Sequence, residues 1–293
     1  MLSRRTENPS VTASGWRIAV ISTVPPVVEW LLPLLRDLGH EPVVVVAARV
    51  RRATEPPPEL RPSHLAEVAP EGVDVVFPAS KWQVAPLLGA YAPALAVCWG
   101  YPWKLPPEAL EVPRLGVINQ HPALLPRHRG PVPLAWTLRA GDPAFGLTWH
   151  RMDAELDTGP ILAQTTVPIE DDDVSIEQIG PKLGAAAFGL LPGVLERIAA
   201  GDPGDPQPEE GATWAGHFGE DYAELDWSRS ARELHDQVRA WALTFGFSPV
   251  RGPIGELGGE RVRVLRTSLT ETPGATRVET GDGPLWVVAH APA

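Results

Sequence analysis

The chain has 293 residues and a mass of 31.6 kDa, and it is 44% apolar and 21% charged. That is ordinary globular usage, so a disordered or fibrous chain is excluded, and the length suits a catalytic domain of about 200 residues with a small partner domain. A formal charge of −11 excludes nucleic-acid binding through the overall field and leaves only a local basic patch for that role.

No window approaches the roughly 20 uninterrupted apolar residues of a bilayer span, and the opening MLSRRTENPSVTASG lacks the apolar stretch of a secretory signal. A soluble, cytoplasmic protein with no membrane partner is expected. Cys98 is the single cysteine, and no Cys/His cluster has zinc spacing, so neither a disulfide nor a metal is expected. The prolines are dispersed through loops rather than gathered in one tract, which predicts rigid connections.

In chain order, residues 1–15 read as a flexible end. Trp16 to Ser22 is a β-branched apolar run that predicts a strand, and Val27 to Leu38 repeats apolar residues at helical spacing. Gly39 sits where a helix-ending glycine belongs, and Pro42 to Ala48 predicts a second strand, apolar on both faces. Further strands are predicted at Asp74 to Phe77, Ala94 to Trp99 and Gly116 to Asn119, with a helix near Trp82 to Tyr91. The class is α/β, a doubly wound parallel sheet. The apolar runs Phe145 to His150 and Pro160 to Ile169 come next, and then Ser175 to Ala200 carries a long helical pattern.

The Pro/Gly/acidic stretch DPGDPQPEEG then predicts a linker. Beyond it come the run Ala223 to Trp227, a helix from Ala231 to Trp241, and short alternating runs at Arg261 to Leu265 and Leu285 to Ala289, a small β-rich unit with one helix. The expected division is a catalytic domain over 16–203, a linker over 204–211 and a C-terminal unit over 212–293.

The first strand leads into STVPPV, with neither GxGxxG nor GxxxxGK[ST], so no dinucleotide or Walker site is indicated. In open α/β sheets ligands sit beyond the carboxyl ends of the strands, which here points to Asn119, Gln120 and His121. Asn119 and His121, two apart on extended chain, face one small volume. An amide N–H suits a developing oxyanion, an imidazole suits proton transfer near neutral pH, and a carboxylate such as Asp157 would orient the imidazole and raise its pKa. Taken singly, Asn119 and Asp157 read equally as makers of local turn hydrogen bonds.

The run GVINQHPALLPRHRGPVPLAW, followed by GLTWHRMDAELDTGPILAQ, resembles the 10-formyltetrahydrofolate-dependent formyltransferases. That family shows an Asn-x-His at a strand end, a Pro-x-Leu-Leu-Pro and Arg-Gly-Pro loop, and then a Leu-Asp-Thr-Gly loop. The match is close across Leu105 to Gln164, weaker before it, and resumes in the tail. The resemblance implies Asn119, His121 and Asp157 as the catalytic set. It implies a folate pocket lined by the loop bearing Trp99, Gly100, Tyr101, Trp103 and Leu105, and by a second loop with Met152, Asp153 and Leu156. The first of these loops is about two residues longer than the common family form, and its extra rings read either as pocket wall or as domain packing. Ala123 stands where the family often has Ser. Arg127 and Arg129 read either as contacts to an acidic acceptor or the folate glutamate, or as solvated loop residues. His128 and His150, without a partner motif, are set aside.

The tail, WAGHFGEDYAELDWSRSARELHDQVRAW then GGERVRVLR, resembles the C-terminal OB-like barrel of methionyl-tRNA formyltransferases. Its basic footprint is thin: Arg251, Arg261, Arg263, Arg266 and Arg277 stand against Glu256, Glu260 and Glu271, and Arg49, Arg51, Arg52 and Arg61 against Glu55 and Glu59. The last strand is expected to end near Val288, giving a shortened barrel. The favoured expectation is a small-molecule amine acceptor, with the tail a relic or a dimerisation element. Initiator Met-tRNA is the alternative, and a folate-binding module without turnover the distant one.

Overall fold

The computed structural model describes residues 15–48, 61–244 and 252–293. The expected flexible end, apart from Gly15, lies outside the described residues, as do Arg49, Arg51, Arg52 and Arg251.

A seven-stranded sheet forms the first unit. β1 (Arg17–Ile21), β2 (Glu41–Val46), β3 (Asp74–Val76), β4 (Leu95–Trp99), β5 (Val117–His121), β6 (Ala144–Arg151) and β7 (Ile161–Pro168) lie in the order β3-β2-β1-β4-β5-β6-β7. The first five run parallel, while β6 and β7 are antiparallel. The sheet is thus only mostly parallel, because no helix long enough for a crossover separates β6 from β7. Helix α1 (Pro25–Asp37) starts on prolines that need no amide partner and ends where Gly39, at φ +83°, lets Gly39 and His40 donate to the carbonyls of Arg36 and Leu35.

The central strands are buried on both faces. Ile18, Val20, Val45, Val97, Ile118 and Trp149 pack on one side with α1 and with α6 (Ile176–Ala199), whose Ile179, Leu183, Ala187, Leu191, Val194 and Ile198 follow helical spacing. Ala19, Ile21, Val46, Ala96, Cys98 and Val117 pack on the other side with α3 (Val84–Tyr91) and α4 (Pro107–Glu111). Between α1 and α3 in the chain lies the single-turn α2 (Leu65–Val68), and α5 (Pro133–Arg139) comes after β5.

The C-terminal unit carries α7 (Ala231–Ala242), started by a Ser230–Glu233 capping box, and a curled antiparallel sheet. Its strands β8 (Ile254–Leu257), β9 (Glu260–Ser268), β10 (Thr276–Glu279) and β11 (Pro284–Pro292) lie in the order β10-β11-β9-β8. The last strand therefore continues past Val288 to Pro292, held along its length by β9 with two register shifts. Helix α7 packs on α5 through Ala240 and Trp241, which join Phe218 and Tyr222 against Leu134, Leu138 and Phe145. The stretch expected as a linker is bound to the first sheet: Asp205 exchanges two 2.8 Å backbone hydrogen bonds with Ile161. Among the described residues, no helix is long and apolar enough to cross a membrane.

Candidate active site

Strand β5 extends two residues beyond the predicted end, because Gln120 and His121 pair with Trp149 and Thr148 of β6. Asn119 and His121 are therefore strand residues, fixed by the sheet rather than by a loop. The register aligns Ile21, Cys98, Asn119 and His150 in one row across four strands. Asn119 thus faces the side of the sheet that holds Cys98 and Val117.

Four groups converge on one carboxylate. Asp157 Oδ1 lies 3.5 Å from His121 Nδ1, 3.5 Å from His150 Nε2 and 3.5 Å from Asn119 Nδ2. Its Oδ2 accepts the Gly130 N–H at 2.9 Å. Burial alone would raise this carboxyl, but the attraction of the two imidazoles in their protonated form, together with the Gly130 N–H, outweighs it and holds Asp157 well below the usual carboxylate range. Asp157 adopts φ +58°, and Gly159 behind it packs where a side chain would meet the Arg151 carbonyl, so the loop is tightly seated.

The tautomers are set by backbone partners. His121 Nε2 lies 2.8 Å from the His128 carbonyl, which can only accept, so Nε2 carries the proton and neutral His121 presents its Nδ1 lone pair toward Asp157. Burial pushes His121 below the ordinary value of 6.5, the Asp157 charge opposing that shift. His150 Nδ1 donates to the Arg151 carbonyl at 2.7 Å, so its Nε2 accepts from the Asn119 amide at 3.1 Å. One Asn119 N–H is thereby fixed on His150, and the other, at a long 3.5 Å from Asp157, is available to an incoming oxygen.

The Pro-rich loop after β5 lies over β6, where Gly146 leaves room for the backbone of Ala123 and Leu124. Thr148 Oγ1 donates to the Ala123 carbonyl at 2.7 Å and accepts from Leu125 N–H, and Gln164 donates to the Leu125 carbonyl. The loop is thus anchored with Ala at position 123.

The expected folate-lining residues divide. Gly100, at φ +66°, turns the chain after β4 and accepts a 2.7 Å hydrogen bond from Thr23. Trp99 lies on the opposite face from Asn119, edge-on to Trp149 with ring centroids 5.6 Å apart and 4.8 Å from Phe188. Leu105 is core, while Tyr101 and Trp103 pack edge to face at 5.7 Å. The Tyr101 hydroxyl is buried without a partner, and burial pushes it up, as it does the Cys98 thiol, raised to about 12. Met152 donates its N–H to the Val117 carbonyl, Asp153 shapes its loop by accepting from Glu155 N–H and Thr158, and Leu156 is half-buried there. Lys104 and Glu155, 3.2 Å apart, tie the two loops together.

Of the two arginines, Arg127 is half-exposed and bonds Asp142 at 2.6 Å. Arg129 is 8% exposed, and its guanidinium bonds Gln207 at 3.1 Å and approaches Glu209 at 3.4 Å. Asp142 also holds His128 Nε2 at 2.7 Å.

Three contributors were not among the sequence candidates. His150 needed the antiparallel β5–β6 register, and the Gly130 amide and Gln207 needed the fold of the two loops. Among the described residues no group of three or more His, Cys, Asp or Glu could hold a metal ion.

The sequence matches the formyl transferase family over residues 18–195. Methionyl-tRNA formyltransferase of Pseudomonas paraeruginosa (strain DSM 24068 / PA7) is 36% identical over 265 residues, spanning 86% of this chain and 81% of its own. Among solved structures, HypX from Aquifex aeolicus in complex with tetrahydrofolic acid superposes with a TM-score of 0.65 at 19% identity, covering 94% of this chain and 44% of that one. A sugar N-formyltransferase from Shewanella sp. FDAARGOS_354 gives 0.61 at 19%, covering 87% and 98%. At those identities the structural likeness speaks for the fold. The family match runs over more than half of the chain and the relative's likeness covers 86% of it, so this chain belongs to the formyl transferase family.

Proposed function

We propose that the chain moves a formyl group from 10-formyltetrahydrofolate to the amino group of methionyl-tRNA. The observation that carries formyl transfer is the meeting of Asn119, His121 and His150 on Asp157. Folate binding between the loops around Tyr101 and Met152 is supported by the Tyr101 hydroxyl, a buried polar atom with no hydrogen-bond partner among the described residues. The tRNA acceptor is supported by the named relative, whose likeness covers 86% of this chain.

In this reading the Asn119 N–H that faces Asp157 at 3.5 Å turns to the formyl oxygen as it gains negative charge. Neutral His121 takes the amine's proton at Nδ1, the Asp157 carboxylate steadies the imidazolium so formed, and the proton is returned to the departing folate nitrogen. His150 holds the Asn119 amide, and the sheet keeps Asn119, His121 and His150 on rigid strands.

A small-amine acceptor is the second reading, favoured by the C-terminal charges. Arg261 bonds Glu224, Arg277 bonds Glu279 and Arg232 bonds Asp171, so part of the C-terminal cationic surface is neutralised by neighbouring carboxylates. A spectrophotometric assay of tetrahydrofolate release, run with charged initiator Met-tRNA and in parallel with a panel of primary amines, separates the two. Turnover with Met-tRNA is expected, and turnover only with a small amine would reverse the assignment.

A further inference from the structure

The segment that joins the two units reaches the catalytic carboxylate. Gln207 Nε2 donates one N–H to the Asp157 carbonyl at 2.8 Å and the other to the Gly159 carbonyl at 2.7 Å, so both of its protons are spent on the Asp157 loop. Its Oε1 accepts from Arg129 Nε at 3.1 Å. Arg129 is in turn fixed by its backbone, which exchanges hydrogen bonds with Thr213 and Ala215. The next residue, Gly130, donates to Asp157 Oδ2. Asp157 is thus gripped at its main chain by Gln207 and at its side chain by Gly130, and these two grips are joined through Arg129.

We infer that Gln207 is a positioning residue for formyl transfer, holding the Asp157 backbone in its left-handed conformation so that Oδ1 meets His121, Asn119 and His150. An aspartate at φ +58° persists only where its surroundings impose that conformation, and the paired donors of Gln207 do so on both sides of Thr158. Arg129, read from the sequence either as a substrate contact or as a solvated loop residue, is buried and holds Gln207. The inference rests on Asp157 serving His121 as proposed above.

Gln207→Met keeps the side-chain volume and removes both donors. Expected is a fall in kcat of about 10- to 100-fold, as small misplacements of catalytic groups produce. KM for 10-formyltetrahydrofolate stays within about twofold and Tm within about 2 °C, a shift that marks an unchanged fold. The acidic limb of the kcat/KM profile moves to lower pH, because His121 loses the nearby carboxylate that favours its charged form. Gln207→Glu keeps the tie to Arg129 while losing both donors, and it must give the same fall in kcat if the Met variant folds poorly. Wild-type kcat with an unmoved limb, or a loss of activity that only follows Tm, overturns the inference. Asp157→Asn is measured beside them: if it remains fully active, the reading of Asp157 fails, whereas an inactive Asp157→Asn with a normal Gln207→Met sinks the Gln207 role alone.

Discussion

His150 accepts an N–H from Asn119 at 3.1 Å while giving its own Nδ1 proton to the Arg151 carbonyl. The direction of the Asn119 amide is set by that pair, since a neutral imidazole with Nδ1 protonated can only accept at Nε2. His150→Leu leaves the amide free to turn, so kcat is expected to fall by up to about 100-fold, the scale of a small misplacement, with KM for folate little changed. Asn119→Ala, which removes the donor itself, is expected to cost about 100- to 1000-fold. Steady-state kinetics of both variants check the order, and an equal or larger loss at His150 would contradict it.

In the proposed mechanism His121 governs the pH profile. The side chain acts as a base when neutral, and burial holds its pKa below 6.5 against the opposing Asp157 charge. The acidic limb of kcat/KM therefore lies below pH 6.5. Asp157→Asn removes the charge that favours the imidazolium, so the limb moves further down while the rate drops. A limb moving upward in that variant would show that Asp157 does not act on His121.

Asn119, His121 and Asp157 were legible in the sequence because they stand in short ordered motifs on a strand end and a loop. The parallel core was legible too, since strands such as PVVVV and LAVCW are apolar on both faces. What periodicity could not give was the antiparallel turn of β6 and β7. With it went the register that places His150 against Asn119, whereas Trp99 is turned to the far side of the sheet by the parallel β4–β5 register. Gln207 sits in a Pro/Gly/acidic run whose composition reads as linker, and only its three hydrogen bonds set it apart.

Acid stability is expected to depend on His235 in α7. It is 1% exposed, hydrogen-bonded to Thr267 and to the Asp171 carbonyl, and pushed down to about 4 by burial and by neighbouring Arg239. A histidine whose folded pKa lies below its unfolded 6.5 contributes stability that is present above pH 6.5 and lost as pH falls toward 4, on the order of 3 kcal/mol in all. Urea unfolding of the wild type should weaken across that window, and the slope should flatten in His235→Gln. Equal slopes would place the titration elsewhere.

A chain cut after residue 203 is expected to fail although it contains the whole family match, residues 18–195. The loop after β5 is held in place by the backbone of Thr213 and Ala215: Arg129 N–H donates to the Thr213 carbonyl at 2.9 Å, Ala215 N–H to the Arg129 carbonyl at 2.7 Å and Val132 N–H to the Ala215 carbonyl at 3.1 Å. The Trp136 indole donates to the Gly216 carbonyl, and the Arg139 guanidinium lies between Trp136 and Tyr222 with Asp221 at 3.1 Å. Without this cover Leu134, Leu138 and Phe145 lose the side chains of Phe218, Tyr222 and Trp241, and a newly exposed apolar patch of that kind promotes aggregation. Size-exclusion chromatography and the folate-release assay on the truncated chain test this. A soluble, monomeric 1–203 fragment with normal turnover would show the C-terminal unit to be dispensable for the active site, whereas aggregation or loss of turnover marks it as part of the catalytic fold.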